Sequence, residues 1–234
     1  MPPSYNVAVL LYPSADILDF SGPIEVYTTN PPSPTPCPFK TTTFAQTNPV
    51  AAESNALVYI PDKTLAEVRA ELEQYDIMVI PGGKAKLLLS MTSTDHGKEI
   101  LELIQKFTAL TPRPETGIRI LQSVCTGSLL LAASGVLANR TVTGDHQNYE
   151  PIRQFADRAA GGNSGVNVVR KRWADAGKTD AGVRIVTAGG VSSGIDASLW
   201  IMEELLGKVR AEWVAEVMEF ERRGEEEAWG VGKA

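Results

Sequence analysis

Cys125 stands in "SVCTG", between a run with strand character, Ile118 to Val124, and an apolar helical run, Thr126 to Leu137. That placement has the skeleton of a nucleophile elbow. Ser123 lies two positions before the thiol and Gly127 two after, where a sharp strand-to-helix turn leaves no room for larger side chains. A helix opening at Thr126 would aim unpaired backbone N–H groups and a positive dipole end at the sulfur, which predicts a thiol titrating below an ordinary cysteine. The Thr126 N–H, with an amide from Gly82 or Gly83, would then bind negative charge developing on a substrate. Position alone leaves a second reading open, because a buried free cysteine is also an ordinary core residue. The other cysteine, Cys37, lies in a proline-rich loop and implies no partner.

The elements that must position this junction read as alternating strands and helices. Val7 to Tyr12 is an unbroken apolar run of the kind buried on both faces of a parallel sheet. Pro13 ends it, a loop carries Asp16 and Asp19, and Pro23 is placed to open a short helix through Tyr27. "NPPSPTPCPF", residues 30–39, excludes regular structure. Lys40 to Ala45 and Leu57 to Ile60 are strand-like, and Thr64 to Gln74 reads as a helix with the capping-box pair Thr64 and Glu67. Strand Ile77 to Ile80 runs into the Pro81-Gly82-Gly83 turn, and Asp95 to Leu110 has helical periodicity.

Beyond the elbow, Thr141 to Thr143 is a candidate strand and Tyr149 to Ala159 a helix. Val166 to Arg170 and Val183 to Thr187 are strand-like, with "ADAGKTDAG" between them as a hairpin-like excursion. A glycine-rich turn leads into a helix ended by Gly207, Arg210 to Arg223 closes as an amphipathic helix, and residues 225–234 read as a loose tail. The alternation predicts one α/β domain over residues 1–224, with a largely parallel sheet and helices on both faces. Ligands of such sheets sit at the carboxyl ends of strands. Three turns end strands in this way: the one after the first strand, Pro81-Gly82-Gly83, and Cys125-Thr126-Gly127.

Composition narrows the partners. Against 28 acidic residues stand 22 basic ones, a net charge of −6, and the densest basic run is only Arg170-Lys171-Arg172. That argues against nucleic acid. No apolar run approaches the ~20 residues that span a bilayer, and the N-terminus lacks the basic region of a signal peptide. Two cysteines make no disulfide framework, which predicts the reducing cytosol.

Four blocks, "LLYPSADILDFSGPIEVY", "DIMVIPGG", "LQSVCTGSLLLAASGVL" and "VTAGGVSSGIDASLWIMEELLG", resemble the signature blocks of the DJ-1/PfpI (ThiJ/PfpI) superfamily. Among its branches they are most similar to the isocyanide hydratases. The resemblance implies a flavodoxin-like three-layer α/β sandwich, a homodimer, a small-molecule substrate, and no metal or organic cofactor. It implies Cys125 as nucleophile with Asp19 as its acidic partner, and Thr126, Gly82 and Gly83 around the developing charge. The implied reaction is thiolate attack on R–N≡C to a thioimidate, then hydrolysis to an N-substituted formamide, with a carboxyl group moving the protons.

The chain departs from that pattern near the elbow. Where many members carry histidine the alignment reaches Gly144, in "RTVTGDHQNY". His146, two residues on, either fills the same space through a loop shift or is a surface residue. His96, Asp16, Glu25 and Asp196 read as surface, capping, solvated and helix-start residues. A glyoxalase-type conversion of a 2-oxoaldehyde to a hydroxy acid is the alternative reaction, although such members carry glutamate at the acidic position and a nearby histidine. A third alternative is a non-enzymatic stress or sensor protein in which Cys125 is oxidised. A regulator's ligand-sensing domain is disfavoured, since too few residues follow Gly224 for a helix-turn-helix.

Overall fold

In the computed structural model, which describes residues 4–31, 37–52 and 55–231, the three central strands of the main sheet are buried on both faces. These are β1 (Tyr5–Leu10), β6 (Ile77–Ile80) and β7 (Ile120–Val124), and β6 and β7 have no exposed side chain. Burial on both faces is why β6 is the unbroken apolar run Ile-Met-Val-Ile and why β1 is apolar from Val7 to Leu10, while in β7 Gln122 and Ser123 are buried beside Ile120, Leu121 and Val124. They are the middle of a seven-stranded sheet of order β10-β11-β7-β6-β1-β2-β5, completed by β2 (Phe39–Ala45), β5 (Lys63–Thr64), β10 (Trp173–Lys178) and β11 (Arg184–Ala188). All neighbours pair parallel except β10, which runs antiparallel to β11 at the edge. Two small ribbons lie outside: β3 (Val50–Ala52) with β4 (Leu57–Tyr59), and β8 (Thr141–Val142) with β9 (Asn167–Val168).

Helices complete the three layers. One group is α1 (Ile17–Thr28), α7 (Ser193–Leu206) and α8 (Lys208–Val217); the other is α3 (Ala85–Met91), α4 (Asp95–Ala109), α5 (Gly127–Ala133) and α6 (Tyr149–Ala160). The short α2 (Leu65–Ala70) carries the anticipated capping box, with Thr64 Oγ1 accepting from the Glu67 amide and Glu67 accepting from the Thr64 amide. The fold is the expected α/β sandwich with a largely parallel sheet.

Several local expectations need correction. Helix α1 begins at Ile17, not at Pro23, because Asp16 accepts the Leu18 amide at 3.1 Å and caps it there. Pro23 lies inside that helix, where it has no N–H for the Asp19 carbonyl four residues back. Asp19 therefore sits in a helical first turn, not in a loop. The segment expected as an excursion contains all of β10 but its first residue, Trp173, and this edge strand is held by its pairing to β11 rather than by its own propensity. Helix α3 was not anticipated, and α8 stops at Val217, short of Arg223.

The expected loose tail is anchored as far as it is described. The Arg172 amide donates to the Glu225 carbonyl at 2.6 Å, Arg170 Nε donates to the Trp229 carbonyl at 3.1 Å, and Ala228 is buried. Half of the proline-rich stretch, residues 32–36, lies outside the described residues. Among the described residues, no helix is long and apolar enough to cross a membrane.

Candidate active site

Three adjacent strands deliver three turns to one place. β1 leads to Asp19, β6 to Gly82 and Gly83, and β7 to Cys125, next to the point where the strand order reverses. Cys125 adopts φ +57°, a left-handed conformation that side chains rarely take and that nucleophile elbows impose. The strain is held from the next strand, since the Cys125 amide donates to the carbonyls of Ala188 and Gly189 at 3.1 and 3.0 Å. Gly127 is required on the other side: a Cβ there would lie 2.3 Å from the Ile80 carbonyl oxygen. Those two features confirm the geometry of the elbow.

Asp19 is fully buried beneath this turn. Its Oδ2 accepts the Gly82 amide at 2.9 Å, while Oδ1 makes no well-aligned hydrogen bond among the described residues, the Cys125 thiol being the donor beside the carboxyl. The carboxyl lies against the Cys125 thiol and interacts with it. Burial pushes the Asp19 carboxyl well above the usual carboxylate range, with the Asp16 charge adding to it and the Gly82 amide opposing it. Burial also raises the Cys125 thiol, and the neighbouring Asp19 charge raises it further. Backbone amides of Val191 and Thr126 pull the other way and do not prevail.

The expectation of a thiol titrating below ordinary cysteine is thus overturned. Dehydration and a carboxylate neighbour outweigh the amides at the start of a helix only seven residues long. The pair resists joint ionisation and keeps at least one proton between its two members.

The roles expected of Gly82 and Gly83 change as well. Gly82 gives its amide to Asp19, and Gly83 gives its amide to Thr126 Oγ1 at 2.8 Å while its carbonyl accepts from the same hydroxyl at 2.7 Å. Both amides are engaged in fixing the acid and the elbow, so neither points unpaired at a substrate. A Cβ on Gly82 would stand 2.5 Å from Thr126 Oγ1 and 2.7 Å from Asp19 Oδ2, so close approach is the reason for glycine. Thr126 keeps its expected place, and the second amide at the sulfur comes from Val191, which sequence reasoning missed. Its signal was the "AGGVSSG" turn after β11, where Val191 takes φ +26°. Tyr12, also missed, is buried and donates to the Pro81 carbonyl at 2.7 Å, steadying the turn that holds Asp19.

Above the sulfur opens a cavity of about 600 Å³ whose walls include Cys125, Thr126, Asp145, His146 and Val191. Gly144 cannot be replaced by a histidine without rearrangement, since a Cβ there would lie 2.3 Å from Ser128 Oγ and 2.7 Å from Ile152 Cδ1. His146 lines the cavity with a side chain 37% exposed, its Nδ1 3.4 Å from Asp145 Oδ1. Asp145 was not singled out from the sequence; its amide donates to the Cys125 carbonyl at 3.3 Å, and its charge also raises the thiol. Asp196 is not a simple helix-start residue: it is buried and paired with Arg172 Nε at 2.5 Å on the cavity wall. His96 and Glu25 are exposed, and Cys37 and Cys125 are both free thiols.

Comparison with known proteins agrees with this architecture. Isonitrile hydratase of Pseudomonas putida is 26% identical over 215 residues, spanning 92% of this chain and 78% of that protein. The crystal structure of a ThiJ/PfpI family protein from Pseudomonas syringae superposes with a TM-score of 0.70 at 19% identity, covering 99% of this chain and 81% of the other. DJ-1beta of Drosophila melanogaster gives 0.66 at 19% identity, over 93% and 99% of the two chains. The model of the DJ-1/PfpI family matches residues 6–204, and the chain belongs to that family.

Proposed function

We propose that this protein is a cofactor-independent hydratase that converts a small isocyanide into an N-substituted formamide at Cys125. One observation carries the reading: a fully buried carboxyl, Asp19, set against the thiol at the floor of the cavity. Isocyanide hydration requires a proton to leave sulfur and arrive on carbon, and a carboxyl held between its two states beside the sulfur can carry it. Cys125 sulfur bonds to the terminal carbon of R–N≡C as its proton passes to Asp19, and Asp19 delivers that proton to the same carbon. The product is R–N=CH–S–Cys. Water then adds to the thioimidate carbon with Asp19 as base, the C–S bond breaks, and R–NH–CHO leaves with the thiol restored.

In this scheme the raised thiol is no obstacle, because the nucleophile is generated by transfer within the pair and not by prior ionisation to solvent. The isonitrile hydratase that is 26% identical belongs with this chain by family, and the activity its name states suggests the reaction tested here. The glyoxalase-type alternative draws support from His146, which lines the same cavity. Turnover of an alkyl isocyanide compared with methylglyoxal separates the two. Activity on the isocyanide alone, lost in Cys125→Ser by at least about a thousandfold, is the expected result; activity on methylglyoxal alone refutes the proposal.

We also propose that the protein is a cytosolic homodimer. Leu18 on α1 and Leu57, Val58 and Ile60 around β4 are exposed apolar residues, and Phe20 packs edge-to-face on Tyr59 where the two elements meet. Light scattering at micromolar concentration should give twice the 25.2 kDa chain mass.

A further inference from the structure

Four cationic side chains line the Cys125 cavity: Arg170, Lys171, Arg172 and Arg223. Two are neutralised. Arg172 pairs with buried Asp196, and Lys171 pairs with Glu225 at 3.0 Å and Glu226 at 2.8 Å. Arg170 and Arg223 differ from these, because neither has a carboxylate within ion-pair distance among the described residues.

Backbone carbonyls hold both guanidinium groups instead. Arg170 Nε donates to the Trp229 carbonyl at 3.1 Å, and Arg223 Nη2 donates to the Glu227 carbonyl at 2.6 Å. The Arg223 amide also donates to Asp196 Oδ1 at 2.8 Å, but that carboxylate already serves Arg172. Each guanidinium therefore keeps its positive charge and further N–H donors. At the sulfur end the charge is opposite: Asp145 lines the wall with Asn148 and His146 beside it. The cavity is polarised from acidic sulfur end to basic mouth, within a chain of net charge −6.

We infer that the molecule acted on in this cavity carries a carboxylate, which Arg170 and Arg223 bind at the mouth while its reactive carbon meets Cys125. This deepens the hydratase reading and rests on it for the identity of the reactive group. A guanidinium matches a carboxylate through paired N–H donors, so the mouth selects an organic anion over a neutral molecule of equal shape. The tail that carries the Trp229 and Glu227 carbonyls becomes part of the binding site, because it fixes both arginines.

The test uses a formamide product and its neutral counterpart, 4-formamidobenzoate and formanilide, titrated calorimetrically into the intact protein. The anion is expected to bind about tenfold more tightly at low salt. That preference should shrink toward unity at high salt and in the Arg170→Gln/Arg223→Gln double variant. The salt arm uses the unaltered chain, so a double variant that fails to fold leaves the test standing. Equal affinities, no binding of either compound, or a preference that survives both salt and substitution overturns the inference. A clear preference without turnover of any isocyanide would sink the hydratase reading and leave the anion site; turnover without preference would do the reverse.

Discussion

The floor and the mouth of the cavity solve opposite electrostatic problems. At the floor, Asp19 is fully buried and Cys125 is 9% exposed, so charge there is costly and the pair holds a proton. At the mouth, Arg170 and Trp229 are exposed, and water screens the charges of Arg170, Lys171 and Arg223. Chemistry that moves a proton between sulfur and carbon belongs at the dry end, where each interaction is strong and few states are allowed. Recognition of a substrate's far end belongs at the wet end, where charge attracts without trapping. The two ends also differ in how they are built. The floor is fixed by turns on three neighbouring strands, the mouth by segments far apart in sequence.

The largest effect that can break this comparison is at the floor. Asp19→Asn keeps an acceptor for the Gly82 amide but removes the group that carries the proton. Isocyanide turnover should fall by about two to three orders of magnitude, with the far-UV spectrum unchanged. A loss of less than about threefold would mean that the buried carboxyl is structural.

The same variant should change how stability depends on pH. Because burial raises the Asp19 carboxyl, the folded protein keeps a proton that the unfolded chain releases above about pH 4. The folded state then binds more protons than the unfolded state, so the slope of unfolding free energy with pH is negative. Wild type should lose stability from this group as pH rises from about 4 toward the raised value, whereas asparagine has no proton to lose. Urea unfolding at several pH values should therefore give Asp19→Asn the flatter curve, and parallel curves would contradict the burial argument.

Between floor and mouth lies the Arg172–Asp196 pair, both members buried. Burial pushes the Asp196 carboxyl up despite the Arg172 guanidinium and the Arg223 amide, so the pair carries a dehydration cost. Asp196→Asn would leave a buried guanidinium without its counter-charge, and we expect a loss of about 3 kcal/mol in unfolding free energy. The surface pair Lys171–Glu226, whose carboxylate is 72% exposed, is the control: Glu226→Gln should cost less than about 1 kcal/mol. Equal losses would erase the distinction between the two regions.

The floor was far more legible in the sequence than the mouth. Strand Ile77–Ile80, the capping box at Thr64 and the Gly207 stop were read from local periodicity and turn chemistry. The elbow at Cys125 was legible because its neighbours must be small, a local constraint that leaves a local signature. What the amides of Gly82 and Gly83 bind was not, because glycine announces close approach but not the partner. Thiol titration was misjudged for a related reason: a helix start is visible in sequence, whereas the burial and the carboxylate that outweigh it are tertiary. Edge strand β10 and the anchored tail owe their order to long-range partners, β11 in one case and residues 170–172 in the other. A run such as "GEEEAWG" carries no mark of the Lys171 ammonium that two of its glutamates reach.

The smallest effect is expected at His146, and it decides between the two reactions. The side chain is on the cavity wall, 37% exposed, and it faces the Asp145 carboxylate, Nδ1 to Oδ1 3.4 Å. The position where the family pattern places histidine is held by Gly144, packed tightly against Ser128 and Ile152, and His146 lies two residues on at the cavity wall. A mechanism in which Asp19 moves every proton has no step for an imidazole at the rim. His146→Ala should then keep isocyanide turnover within about threefold of wild type, with KM moving more than kcat if the ring only shapes the wall. A 2-oxoaldehyde rearrangement makes a different demand, since a proton must leave one carbon and return to its neighbour while sulfur stays attached. A second base is useful there, and His146 is the available one. Collapse of kcat in His146→Ala, with Asp19→Asn nearly active, would therefore transfer the chemistry from the buried carboxyl to the rim and favour the 2-oxoaldehyde reaction over hydration.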